Sequence, residues 1–229
     1  MDLMMSSPAL GGDRTLYIGS KDKTLYVLNC KNGAIKIKMN FPFPFYMCSP
    51  IFGANGVIFV NQPQELFALN RTNSQKIWTF HLGGKGNVTS PTIGADATLY
   101  VGSLILKKVY ALNGKTGRKI WESETLGKVM VPPTIGADGT IYVQAGSMLY
   151  ALDGKTGVKI WEFEIGSCVF SAPVLGTDGM LYVNSTRAVY AFQTSSFGLA
   201  NSPWPMHGQN PKNTRREKLS QTAPHPPIA

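Results

Sequence analysis

Three cysteines (Cys30, Cys48 and Cys168) and three histidines (His81, His207 and His225) are the side chains of this 229-residue chain best suited to metal ligation or nucleophilic chemistry. Their spacing argues against both. A structural zinc site draws on closely spaced Cys and His pairs, and none occurs here. An odd cysteine count does not suggest a disulfide framework either. Serines are plentiful, yet nothing resembles a nucleophile elbow, and no acid, base and orienting group gather by spacing. The carboxylates Asp13, Asp96, Asp138 and Asp178 fall at hairpin positions, where Asp caps a turn. Neither a catalytic residue nor a metal ligand is expected.

The elements that would position any site are far more legible. Apolar residues make up 43% and charged residues 15%, so the chain can bury a core. Its 24 glycines and 15 prolines point to many short elements joined by turns. No apolar run is long enough for a membrane helix. Pro8, Pro50, Pro91, Pro133 and Pro173 recur at intervals of 42, 41, 42 and 40 residues. After each comes a turn rich in Gly, Asp or Asn and an alternating strand: LYIGS from Leu16, VIFVN from Val57, LYVGS from Leu99, IYVQA from Ile141 and LYVNS from Leu181. A third strand follows (LYVLN, LFALN, VYALN, LYALD, VYAFQ), and in the first four repeats a fourth, beginning KIKM, KIWTF, KIWES and KIWEF. Four-stranded units of this length predict an all-β fold, a β-propeller of about five blades. The repeats begin near residues 6, 48, 89, 131 and 171 within a propeller over 1–210; a closing strap is expected at 202–216 and a disordered Pro-rich tail at 217–229.

Two segments carry a more specific pattern, Ala111 to Trp121 through Gly117 and Ala151 to Trp161 through Gly157, reading ALNGKTGRKIW and ALDGKTGVKIW. They resemble the tryptophan-docking motif of PQQ-binding-like (quinoprotein-type) β-propeller repeats, and the resemblance spans all five repeats. Ala68 to Trp78 keeps the interval but has Asn73 and Ser74 where the turn glycine is expected. The first repeat has Val27 and Ile37 for the Ala and Trp, which predicts a weaker junction. In the fifth, Ala191 plus ten lands on Asn201, and Trp204 arrives late. The segment SPWPMHGQNPKNTRR from Ser202 is similar to a terminal motif of many bacterial members. It is expected to supply an outer strand or strap for the last blade, anchored by Trp204. Members commonly carry seven or eight blades; five here favour a compact ring over an open arc or part of a larger propeller.

The family name implies a test for PQQ and calcium. The dehydrogenases of the family would call for an adjacent cysteine pair, a catalytic Asp and calcium-ligating carboxylates around the channel. No Cys-Cys occurs, and the channel-lining starts SSPAL, CSPIF, TSPTI, VPPTI and SAPVL hold no carboxylate. The expectation is therefore a non-catalytic scaffold or binding module without cofactor; the alternative is a fragment or degenerate relative of a PQQ-dependent dehydrogenase. A protein or polymer partner is expected at the face holding Phe41, Phe43, Phe45, Tyr46, Gln62, Lys85, Lys128 and Arg187, although the phenylalanines could instead fill the weak first junction. The net charge of +9 is spread along the chain, so nucleic acid is not an expected partner. Were the ring open, oligomers could form. The N-terminus has no signal-peptide pattern: the chain is cytoplasmic if Met1 is the true start, periplasmic or extracellular if truncated.

Overall fold

Asp13, Asp96, Asp138 and Asp178 each accept a hydrogen bond through Oδ1 from the backbone N–H of the residue two positions on, at 3.1, 3.0, 2.9 and 3.1 Å. These Asx turns fold a short innermost strand back onto a longer second one. At the other end of the third strand, Asn29, Asn70, Asn113 and Asp153 do the same for Lys31, Thr72, Lys115 and Lys155. Turn chemistry thus repeats from unit to unit, and so does the sheet.

The computed structural model describes residues 6–45, 49–83, 87–167, 170–210 and 214–215. Blade 1 holds β1 (Ala9–Leu10), β2 (Thr15–Gly19), β3 (Thr24–Asn29) and β4 (Ile35–Asn40). Blade 2 holds β5 (Ile51–Phe52), β6 (Val57–Gln62), β7 (Glu65–Asn70) and β8 (Lys76–His81). Blade 3 comprises β9 (Thr92–Ile93), β10 (Thr98–Gly102), β11 (Lys108–Asn113) and β12 (Lys119–Glu124). Blade 4 comprises β13 (Thr134–Ile135), β14 (Thr140–Ala145), β15 (Met148–Asp153) and β16 (Lys159–Glu164). Among the described residues blade 5 has three strands, β17 (Val174–Leu175), β18 (Met180–Asn184) and β19 (Val189–Gln193). Within every blade, strands pair antiparallel in chain order, as a β-propeller requires.

The apolar core lies between blades. β10 and β14 are buried along their whole length, because each blade is covered on both faces by its neighbours. The first and last blades break this rule. Leu16 and Ile18 of blade 1 are only half-buried, whereas their counterparts Leu99, Val101, Ile141 and Val143 are at most 2% exposed. On blade 5, Tyr182 is 43% exposed where Tyr142 is 1% exposed. The rear face of blade 1 and the forward face of blade 5 therefore do not cover one another. The five blades form an open arc, which corrects the expectation of a closed five-bladed ring.

The terminal segment also departs from expectation. Its described residues add no fourth strand to blade 5 but run back along the inner strands. The N–H groups of Ala137, Ile135 and Ile93 donate to the carbonyls of Gly198, Pro205 and Trp204 at 2.9, 2.9 and 2.8 Å, and Ala200 N–H donates to Ile135 O at 2.9 Å. Ser202 Oγ donates to Ile93 O, and Leu10 N–H to Arg215 O. Trp204, 2% exposed, lies 6.2 Å from the Phe52 ring. The physical reason is hydrogen-bond satisfaction: the innermost strands have unpaired inward edges at the channel, where an unpartnered backbone group is costly. Among the described residues no helix is long and apolar enough to cross a membrane.

Candidate functional site

The docking residues behave as one repeated joint. Ala68 lies opposite Trp78, Ala111 opposite Trp121, and Ala151 opposite Trp161 in the strand register. All three alanines are fully buried, and the indoles lie over the second-strand aromatics Phe59, Tyr100 and Tyr142 at 5.8, 5.8 and 6.1 Å. Each of the first two indoles reaches into the next blade. Trp78 Nε1 donates to Gly114 O at 3.1 Å, and Trp121 Nε1 to Gly154 O at 2.9 Å. Their rings cover the turn glycines Gly117 and Gly157, where an added Cβ would come within 2.6 Å of indole carbon. These glycines also hold φ of +70° and +74°, so the motif needs glycine twice over, for backbone and for space. At the corresponding turn of blade 2, Ser74 adopts φ +59°.

The aromatic run of the first junction turns inward. Phe45 is fully buried in the hydrophobic core and sits over Gly19, where a Cβ would approach its ring carbon to 2.5 Å. Phe41 packs edge-on against Phe45 and Phe67 at 5.3 and 5.4 Å. Phe45 thus occupies over Gly19 the place that Val129 takes over Gly102 in blade 3. Gln62 is buried too, its amide bonded to the backbone of Phe43. Phe45 and Gln62 are thus core and loop-pinning residues rather than exposed contacts, because Gly19 opens the space one occupies and a loop backbone needs the other. Phe43 (38% exposed), Lys128 and Arg187 do reach the surface. Tyr46 and Lys85 lie outside the described residues. Trp204, expected among the docking tryptophans, sits on the channel side instead.

Three exposed apolar side chains of the same loop face were missed: Ile105, Leu126 and Phe170, at 57%, 75% and 68% exposure. Each lies in a loop that follows a second or fourth strand, and the signal available was an apolar residue in a polar loop. Phe170, with Leu104 and Met130, borders a cavity of about 250 Å³ at the mouth of the channel. The strand starts Ser7, Ser49, Ser90, Val131 and Ala172 line it, as the repeat alignment requires. Ser49 Oγ accepts from Ser7 N at 3.1 Å and Ser90 Oγ from Ser49 N at 2.9 Å, so these hydroxyls link neighbouring blades.

His207 of the terminal segment completes the lining. Its pKa is lowered from 6.5 to about 4, first because burial disfavours the imidazolium and second because the Arg215 cation lies beside it. The neutral ring accepts from Arg215, with Nη2 2.7 Å from Nε2. The four turn aspartates are occupied in their Asx turns, Asp13 also pairing with Arg71. Among the described residues, no three His, Cys, Asp or Glu side chains come together as a metal-binding group. The site therefore offers hydroxyls, one neutral imidazole and apolar surface.

Comparison with known proteins agrees with this architecture. The structure of BamB from Moraxella catarrhalis superimposes with a TM-score of 0.68 over 92% of this chain and 66% of that one, at 17% identity. That likeness concerns the fold. The tetrathionate hydrolase of Acidithiobacillus ferrooxidans is 28% identical over 104 residues, 45% of this chain and 20% of that protein. The chain thus spans about two thirds of the length of the first and a fifth of the second. Residues 3–128 and 106–197 match the PQQ_2 family, described as outer membrane protein assembly factor BamB. With repeat, joint and family match in agreement over most of its length, the chain belongs to the PQQ_2 family of β-propeller proteins.

Proposed function

We propose that the chain is a non-catalytic propeller scaffold that engages a protein partner. The observation that carries this reading is the channel: inner strand edges of blades 1, 3 and 4 are taken by the chain's own terminal segment, and its mouth is lined mainly by hydroxyl and apolar groups. Calcium requires several oxygen ligands, usually carboxylates among them, and an anionic quinone requires cations. The cavity lining, with His207 neutral, does not fit a PQQ–calcium pair. The family's description as an assembly factor supports a partner that is itself a protein. Exposed Leu126 and Phe170 beside Lys128 and Arg187 give the loop face the apolar and cationic character of a binding surface.

The match to a hydrolase favours a second reading, a fragment or degenerate relative of a catalytic propeller. Calorimetric titration of the purified chain with PQQ and calcium, alongside dye-linked alcohol oxidation and tetrathionate consumption, separates the two. Scaffold function predicts no saturable cofactor binding and no turnover. Stoichiometric binding with turnover overturns it.

A further inference from the structure

In blades 2, 3 and 4 one row of side chains crosses the sheet: an aromatic on the second strand, an alanine on the third and a tryptophan on the fourth. The rows are Phe59–Ala68–Trp78, Tyr100–Ala111–Trp121 and Tyr142–Ala151–Trp161. Blade 5 begins the same row with Tyr182 opposite Ala191, and among the described residues the sheet ends there, with β19 its outermost strand. Tyr182 and Ala191 are exposed, as is Val189 at 70%. The tryptophan expected to complete this blade, Trp204, is committed to the channel side.

We propose that the outer edge of β19 is a docking site for an extended β-strand of a partner protein. The strand adds antiparallel and places an aromatic side chain, best a tryptophan, opposite Ala191. An open strand edge presents unpaired backbone groups to such a strand, and pockets for alternate side chains supply specificity. The added strand continues an established ladder. It prolongs the β17–β18–β19 sheet as β16 prolongs that of blade 4, and its indole covers Tyr182 as Trp161 covers Tyr142. Charge agrees. The fourth strands of blades 3 and 4 end at Glu124 and Glu164, opposite the start of the third strand. In blade 5 that end lies beside Arg187, so a strand with a carboxylate near its C-terminus is favoured. This inference rests on the scaffold reading and names the place and chemistry of its partner.

The test uses the full chain and a labelled peptide with the sequence of residues 158–165, VKIWEFEI, read by fluorescence anisotropy. Saturable binding is expected, weakened about tenfold or more when the peptide tryptophan becomes alanine. N-methylation of the alternate peptide amides that face β19 should abolish it. Ala191→Phe, at an exposed position, should fill the indole site without unfolding the chain, which circular dichroism verifies; Arg187→Glu should weaken binding of the same peptide. Absence of saturable binding, or binding indifferent to N-methylation and to Ala191→Phe, overturns the proposal. The cofactor titration is independent of this edge: a negative peptide result with no cofactor binding removes the strand site and leaves the scaffold reading standing.

Discussion

Gly157→Ala and Gly33→Ala form a matched pair that isolates what a neighbouring blade adds. Both glycines sit at the same turn of their repeats with similar backbones, φ +74° and +70°. An alanine at such a φ costs about 1 kcal/mol on backbone grounds. At Gly33 nothing lies within 4 Å of the added Cβ, so the cost stops there. At Gly157 the Cβ meets Trp121 Cε3 at 2.6 Å and Cδ2 at 2.7 Å. The indole cannot yield freely, since it is 9% exposed and bonded through Nε1 to Gly154 O. Overpacking of a filled joint adds about 1–3 kcal/mol. The expected loss is therefore about 1 kcal/mol for Gly33→Ala and about 2–4 kcal/mol for Gly157→Ala. Urea denaturation followed by tryptophan emission measures both. Equal losses would refute the reasoning, because they would mean that the indole does not bear on the turn.

Phe45→Ala should destabilise by about 3–5 kcal/mol as a core truncation, while Phe43→Ala, at a partly exposed position, stays within about 0.5 kcal/mol; denaturation midpoints decide. Trp121→Ala should cost about 3–5 kcal/mol, with a larger effect than the same change at half-buried Trp78. The folded pKa of His207 lies below its unfolded value, so the unfolded chain takes up the proton first. Its contribution is intact above about pH 6.5 and lost as pH falls toward 4, at most about 3 kcal/mol in all. In His207→Gln the stability lost over that window should shrink, as seen in urea midpoints collected between pH 7 and 4.

The repeat was legible because its signals are local. Asx-turn residues, an alternating strand and the ten-residue spacing from Ala111 to Trp121 each report on neighbours in sequence. The target of the indole was not, since Gly117 lies 39 residues beyond the Trp78 that covers it. Burial of Phe45 has a sequence trace: LYIGS and LYVGS both end their second strand in glycine, and Gly19 and Gly102 make room for Phe45 and Val129 of the loop after the fourth strand. Trp204 misled because a local pattern says that a segment can pair but not which sheet edge it joins. The inner edges of β9 and β13 won through backbone bonds no spacing rule reveals. Closure was hidden for a related reason: every blade repeats the same strands, so the end faces of the arc look like interior ones until their exposure is measured.

The path of the terminal segment has a consequence for how the molecule comes apart. Blades that touch only their neighbours behave as a one-dimensional array, free to fray from either end. Here the chain returns from blade 5 to bond the inner strands of blades 4 and 3 and the Leu10 amide of blade 1, passing Phe52 of blade 2 on the way. Those long-range bonds join the far ends of the array, so a blade cannot melt without loosening a segment shared by the others. A linear stack is thereby made to unfold as a single cooperative unit, and shortening the chain before residue 198 would return it to stepwise melting.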